Sequence, residues 1–219
     1  VEVLAAQTMG NHFHALVYIP EQPPSREEAA ERYRRYYKGK RKMSPNSRAC
    51  ERLRHKLRDI SEFMHDLQQP YSRWFNRTRP IRRRGHLWGE RFKHTVLEPG
   101  LAVWDCWKYI EMNPVRANMV ASPADYRFCD FGIWSATGKH PFSAAVEQIL
   151  LPSLKNLLQI NTLDELKSKL RQEFARMKAV DERGDEQQIR TAIAVAAEKE
   201  RFTTRMDRRV RYWVDGLVI

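Results

Sequence analysis

Two histidines stand on either side of one bulky apolar residue in Asn11-His12-Phe13-His14-Ala15-Leu16-Val17-Tyr18-Ile19-Pro20. Imidazole nitrogens are the commonest protein ligands for divalent metals, and a metal so held polarises phosphoryl or carbonyl oxygens. As a strand, the stretch sends successive side chains to opposite faces. Phe13, Ala15, Val17 and Ile19 then form an apolar face to pack on helices. His12 and His14 share the other face, about 6–7 Å apart by strand rise. On these residues alone, the pair is either a metal site or two solvated polar side chains.

The rest of the chain must position them. Its 219 residues suffice for one large domain, or a domain with an appendage. With 39 Lys+Arg against 27 Asp+Glu the net charge is +12, which favours polyanionic partners, meaning nucleic acid or an acidic membrane surface. No apolar run is long enough to span a bilayer. Cys50, Cys106 and Cys129 are odd in number and lack a CxxC spacing, which suits a reducing cytoplasm. The chain opens at Val1 inside a strand-like run, as though an earlier segment had been cut away.

Val1–Thr8 and His12–Ile19, joined at Met9-Gly10-Asn11, predict a β-hairpin. Ser25 with Glu28 three residues on marks a helix start, and KGKRKMSPNS breaks that helix. A second helix is expected through RACERLRHKLRDISEFMHDLQQ, with Leu53, Leu57, Ile60, Met64 and Leu67 at helical spacing. RFKHTVLE reads as a third strand. Ala102–Met112 reads as a helix interrupted by Asn113-Pro114, where Asn and Pro make a good cap and first position for VRANMV. Beyond Phe142 the pattern turns to long, charged amphipathic helices, so the expected domains are 1–142 and an all-α extension, 143–219.

From Arg73 to Lys93 the chain reads RWFNRTRPIRRRGHLWGERFK. Arg73, Arg77, Arg79, Arg82, Arg83, Arg84, Arg91 and Lys93 face a single acid, Glu90. Arginine suits bidentate phosphate contact, and Trp74, Phe75, Trp88 and Phe92 offer rings on which unpaired bases stack. The segment reads as a nucleic-acid contact carried in loops, the bland alternative being a solvated basic loop with partly core aromatics. His86 and His94 lie close enough to join it, whereas His55, His65 and His140 read as ordinary surface residues.

Three stretches in order, NHFHALV, HLWGERFKHTV and YIEMNPVRANMV, resemble the single-tyrosine HUH transposases, and specifically the REP-associated tyrosine transposases of bacteria. The likeness covers roughly residues 1–135. It implies an α+β fold: a ferredoxin-like or RRM-like core of antiparallel sheet and helices, here without its first strand and helix. It further implies that His12 and His14 bind Mg²⁺ or Mn²⁺, that Tyr109 is the nucleophile, and that Asn113 completes the metal site. Read from the residues alone, Tyr109 is a core-edge phenol and Asn113 equally a helix cap.

The implied activity is cleavage and rejoining of single-stranded, hairpin-forming DNA through a 5′-phosphotyrosine link. The alternative is a truncated or domesticated relative that binds structured DNA without cutting it. The C-terminal helices admit a third role, as a homodimer contact. A membrane partner is not expected, since the arginines and aromatics form no amphipathic helix with an apolar face.

Overall fold

The computed structural model describes residues 1–79, 87–89, 91–182 and 211–218. It is a mixed α+β structure whose strands pair antiparallel. Strand β1 (Glu2–Thr8) and β2 (His12–Ile19) form the expected hairpin, its turn closed by Met9 N–H donating to the His12 carbonyl at 2.8 Å. Gln7 lies opposite His14 and Thr8 opposite Phe13. Strand β3 (Lys93–Leu97) follows the third-strand expectation. The last described stretch, β4 (Arg211–Val218), pairs with β3, and the strand order is β1-β2-β4-β3. A strand here departs from the expected all-helical extension; Tyr212, Trp213, Val214 and Val218 are aromatic or β-branched residues that favour pleated backbone.

Residues separate into two compact units, 19–90 with Val1, and 2–18 with 91–219. The first unit holds α1 (Arg26–Tyr36), α2 (Arg48–Lys56) and α3 (Ile60–Thr78) around Ile19, Ala29, Cys50 and Met64. Ser25 Oγ accepts from the Glu28 amide at 3.0 Å, as its position before α1 predicts. The single long second helix does not form. Asp59 caps a new helix by accepting from the amides of Ser61 and Glu62, and so divides α2 from α3. An amphipathic pattern runs across this break because both helices bury the same kind of face. Pro70 lies inside α3, which carries the chain on as helix to Thr78. Arg73, Trp74, Phe75 and Arg77 are therefore helical, not looped.

The second unit has one core, built from Leu4 and Leu16 of the sheet and from α4 (Leu101–Arg116), α5 (Asp130–Thr137) and the helices after residue 142. Those later helices are α6 (Ser143–Ala145), α7 (Leu151–Leu158) and α8 (Leu163–Glu182). Val146, Leu150, Leu154, Leu166 and Phe174 all enter the same core as Trp107 and Phe131. Between α6 and α7 the helix widens by one residue per turn over Val146–Leu150, just before Pro152, which has no amide hydrogen to offer.

Candidate active site and basic segment

The face of β2 that carries the histidines is not the solvent face. Leu16, on the same side as His12 and His14, is fully buried in the core that contains α4, and Tyr18 packs against that core. Ala15, Val17 and Ile19 are buried as well, so both faces of β2 are covered beyond the histidines. The alternation predicts one covered face, and the structure covers two. Because α4 packs over the histidine side, its residues come within reach of the imidazoles.

The His12 and His14 rings lie edge to face, 4.9 Å between centroids. His12 Nδ1 is 2.7 Å from Asn11 Oδ1. An amide oxygen accepts, so this contact suits the tautomer with its proton on Nδ1. A hydrogen bond to one ring nitrogen selects which nitrogen of an imidazole carries the proton. The Tyr109 ring stands 6.2 Å from the His14 ring, inclined at 77°. Tyr109 is 40% exposed on an otherwise largely buried helix, and the Arg116 guanidinium lies 5.7 Å from the centre of its ring.

Asn113 does not cap a new helix. Helix α4 continues through Asn113 and Pro114 to Arg116, against the interruption that Pro114 predicts. Pro114 is buried, and packing of α4 outweighs the local bias of the residue before proline. Asn113 thus follows Tyr109 by four residues on one continuous helix, which places the two one turn apart on the same side. Its Nδ2 is buried without a hydrogen-bond partner, so the amide is not committed to a cap.

Two buried carboxyls anchor this region, Glu111 on α4 and Asp130 on α5. Glu111 Oε1 accepts from the Trp107 indole at 3.2 Å and Oε2 from the Phe131 amide at 3.2 Å. Asp130 accepts from the Ala6 amide of β1. Burial pushes both carboxyls well above the usual carboxylate range, and for Asp130 the nearby Glu111 adds to the effect. Lys108, on the same side of α4, pairs with Asp105 of its own helix at 2.8 Å and reaches Glu173 of α8 at 3.3 Å. Beyond α4 the chain returns to the hairpin: the Tyr126 hydroxyl donates to the Thr8 carbonyl at 2.7 Å, and the Thr8 amide donates to the Phe128 carbonyl at 2.9 Å. With Glu111 facing inward, Tyr109, two residues earlier, is left at the rim beside His14.

His140 is not a surface residue. It is buried between Trp107 and Trp134, with Nδ1 accepting from the Phe142 amide at 3.1 Å, and burial lowers it to about 4. His55 and His65 are exposed, as expected.

The donor chemistry of His12, His14 and Asn113 fits a divalent cation: two imidazole nitrogens and an amide oxygen, with coordination positions left for other oxygens. A nitrogen-rich set favours Mn²⁺ over Mg²⁺. Among the described residues no group of three His, Cys, Asp or Glu side chains gathers at one point.

In the first unit, Arg73, Arg77 and Arg79 are exposed on and just after α3, with the Arg79 guanidinium 3.9 Å from the centre of the Phe75 ring. Trp88 is half-buried and donates its indole N–H to Ser72 Oγ at 2.7 Å, so it braces α3 more than it offers a free ring. The exposed rings of α3 are Tyr71 and Trp74, 43% and 48% exposed and 5.5 Å apart. Tyr71 was missed in the sequence because it lies before the first arginine of the segment, though it sits three residues before Trp74 on one helix. Arg91 and Lys93 are exposed residues of the second unit. Arg82, Arg83, Arg84 and His86 lie outside the described residues. No helix among the described residues is long and apolar enough to cross a membrane. No family model, curated protein or solved structure matches this chain.

Proposed function

We propose that this protein cleaves and rejoins single-stranded DNA at hairpin-forming sites, with Tyr109 as nucleophile and His12, His14 and Asn113 as the seat of a divalent cation. The observation that carries this reading is a part-exposed phenol 6.2 Å, ring to ring, from one of two adjoining imidazoles. The phenolic oxygen of Tyr109 attacks the phosphorus of a backbone phosphodiester. The bond from phosphorus to the 3′ oxygen of the upstream strand breaks, that oxygen takes up a proton, and the phenol loses one. The 5′ end remains on the tyrosine, so the bond energy is kept for rejoining and no nucleotide cofactor is required. When bound, the cation would withdraw electron density from the target phosphate and neutralise charge gathering on it. Asn11 holds the tautomer of His12, Arg116 places a fixed positive charge beside the reacting ring, and Glu111 fixes the turn of α4 that presents it.

A binding role without cleavage has its own support in the exposed Arg73, Arg77 and Arg79 flanking the Tyr71–Trp74 pair. Incubation with 5′- or 3′-labelled hairpin DNA and Mn²⁺ separates the two. A covalent protein–DNA adduct absent from Tyr109→Phe supports the transesterase. An adduct that persists in Tyr109→Phe excludes this nucleophile, and salt-sensitive binding with no adduct leaves the binding role alone.

A further inference from the structure

A second concentration of positive charge closes α1, away from the basic segment in sequence. Residues 32–42 read RYRRYYKGKRK. Arg32 and Arg34 are neutralised by Glu28 at 2.6 Å and Glu31 at 2.8 Å. Arg35, Lys38, Lys40, Arg41 and Lys42 are exposed and form no ion pair with a carboxylate among the described residues. Three tyrosines sit among them. Tyr33 and Tyr36 lie 4.7 and 5.0 Å from Tyr37, and the Arg41 guanidinium lies 4.6 Å from the centre of the Tyr37 ring. Tyr36 is 73% exposed, the greatest exposure of any large apolar side chain described.

The backbone of this turn is closed by Gly39 N–H to the Arg34 carbonyl at 2.8 Å and Lys38 N–H to the Arg35 carbonyl at 2.9 Å, and Lys40 N–H donates to the Tyr37 carbonyl at 3.0 Å. This pattern places its left-handed residue at Lys38, with φ 51°. Glycine is the usual occupant of that place, because a Cβ is disfavoured there. The chain sets a lysine in it and glycine one residue later, so stability is given up where a cation is presented.

We propose that this turn is a second nucleic-acid contact, in which Lys38, Lys40, Arg41 and Lys42 hold the phosphates of an unpaired strand and Tyr36 stacks on one of its bases. The proposal rests on the DNA-directed reading above. Charge complementarity selects the occupant: clustered unpaired cations match a chain of phosphates, and the aromatic ring among them matches a base face, which a duplex keeps stacked inside. An anionic bilayer fits less well, since the turn lacks an aliphatic face to insert.

The test is binding of the full chain to labelled oligothymidylate and to a duplex across a salt series, without added metal. Replacing Lys38, Lys40 and Lys42 together by Ala should flatten the log–log salt slope for the single strand by about 2, at roughly 0.7 per lost contact. Tyr36→Ala should weaken single-strand binding by about tenfold or more with the slope unchanged and the duplex unaffected. Lys38→Gly should raise the melting temperature while lowering affinity, a pairing that a misfolded variant does not give. A triple variant with wild-type slope and affinity, while Arg73→Ala, Arg77→Ala and Arg79→Ala weaken binding, overturns this contact and leaves the DNA reading intact. Wild-type protein that binds neither probe overturns both. With phosphatidylserine vesicles as a third probe, a triple variant that loses vesicle binding while keeping wild-type binding to oligothymidylate would overturn this contact and reassign the turn to a membrane surface.

Discussion

The ring of Tyr109 meets the ring of His14 edge to face, although 95 positions separate them in the chain. The approach depends on α4 covering the histidine side of β2 and on Glu111 turning the opposite side of that helix inward. The phenol is set by the same packing that stabilises the fold.

Arg116 is a charged group of α4 itself beside the phenol ring. Its guanidinium lies over the Tyr109 ring near the end of α4. Arg116→Ala should reduce the single-turnover cleavage rate by about tenfold while leaving hairpin affinity close to wild type, as expected for a charge felt most when the phenol oxygen reacts. A rate equal to wild type would remove Arg116 from the reaction.

Asn113 is decided by metal binding more than by stability. Asn113→Ala removes an amide with a buried, unpartnered nitrogen, so the melting temperature should hold or rise, an unsatisfied polar group having been deleted. Mn²⁺ affinity followed by electron paramagnetic resonance should fall about tenfold or more. Unchanged Mn²⁺ affinity would return Asn113 to a purely structural position.

Stability should fall as the solution is made alkaline. Burial pushes Glu111 up to about 7 and Asp130 up to about 8. Carboxyls whose folded values exceed their unfolded ones stabilise the fold fully below the ordinary carboxylate range, and that contribution is lost as pH rises through 7 to 8. The two titrate together and share the behaviour. Thermal melts from pH 6 to pH 9 should show a declining midpoint, and Glu111→Gln should flatten the decline. At the acid end His140, lowered to about 4, acts with the opposite sign: its contribution is intact above its unfolded value and is lost as pH falls toward 4. A midpoint independent of pH above 6 would contradict the burial of this pair.

Gly132 admits no side chain. A Cβ there would fall 2.0 Å from the Tyr126 carbonyl oxygen and 2.8 Å from its carbon. Gly132→Ala must therefore move backbone, at a cost of about 1–3 kcal/mol in a denaturant titration. The displaced loop also carries Tyr126 off the Thr8 carbonyl that it caps, so cleavage should fall together with stability. Wild-type stability in this variant would refute the tight crossing of α5 and the loop.

Local chemistry was legible. The hairpin, the Ser25 cap and the third strand follow from alternation and capping residues whose partners lie within a few positions. What stayed hidden was decided by distant packing. Pro114 reads as a helix end, yet it is buried within α4; His140 reads as a solvated residue, yet two tryptophans enclose it. The continuous pattern across residues 48–69 concealed the break at Asp59, because capping by a lone Asp leaves the apolar spacing unchanged. Strand β4 lies between β2 and β3, a partnership that nothing in the neighbouring sequence announces. For the candidate site, residue types marked His12, His14 and Tyr109, but the side of β2 that α4 covers could not be chosen while both sides were apolar enough to be buried.

Pro114 also leaves the Ile110 carbonyl without the amide that would ordinarily close that rung of α4. The stretch bearing the phenol and the stretch bearing Arg116 are thus joined by a ladder with one step missing. Bending at that rung ruptures no backbone hydrogen bond, so α4 is least stiff between Ile110 and Pro114.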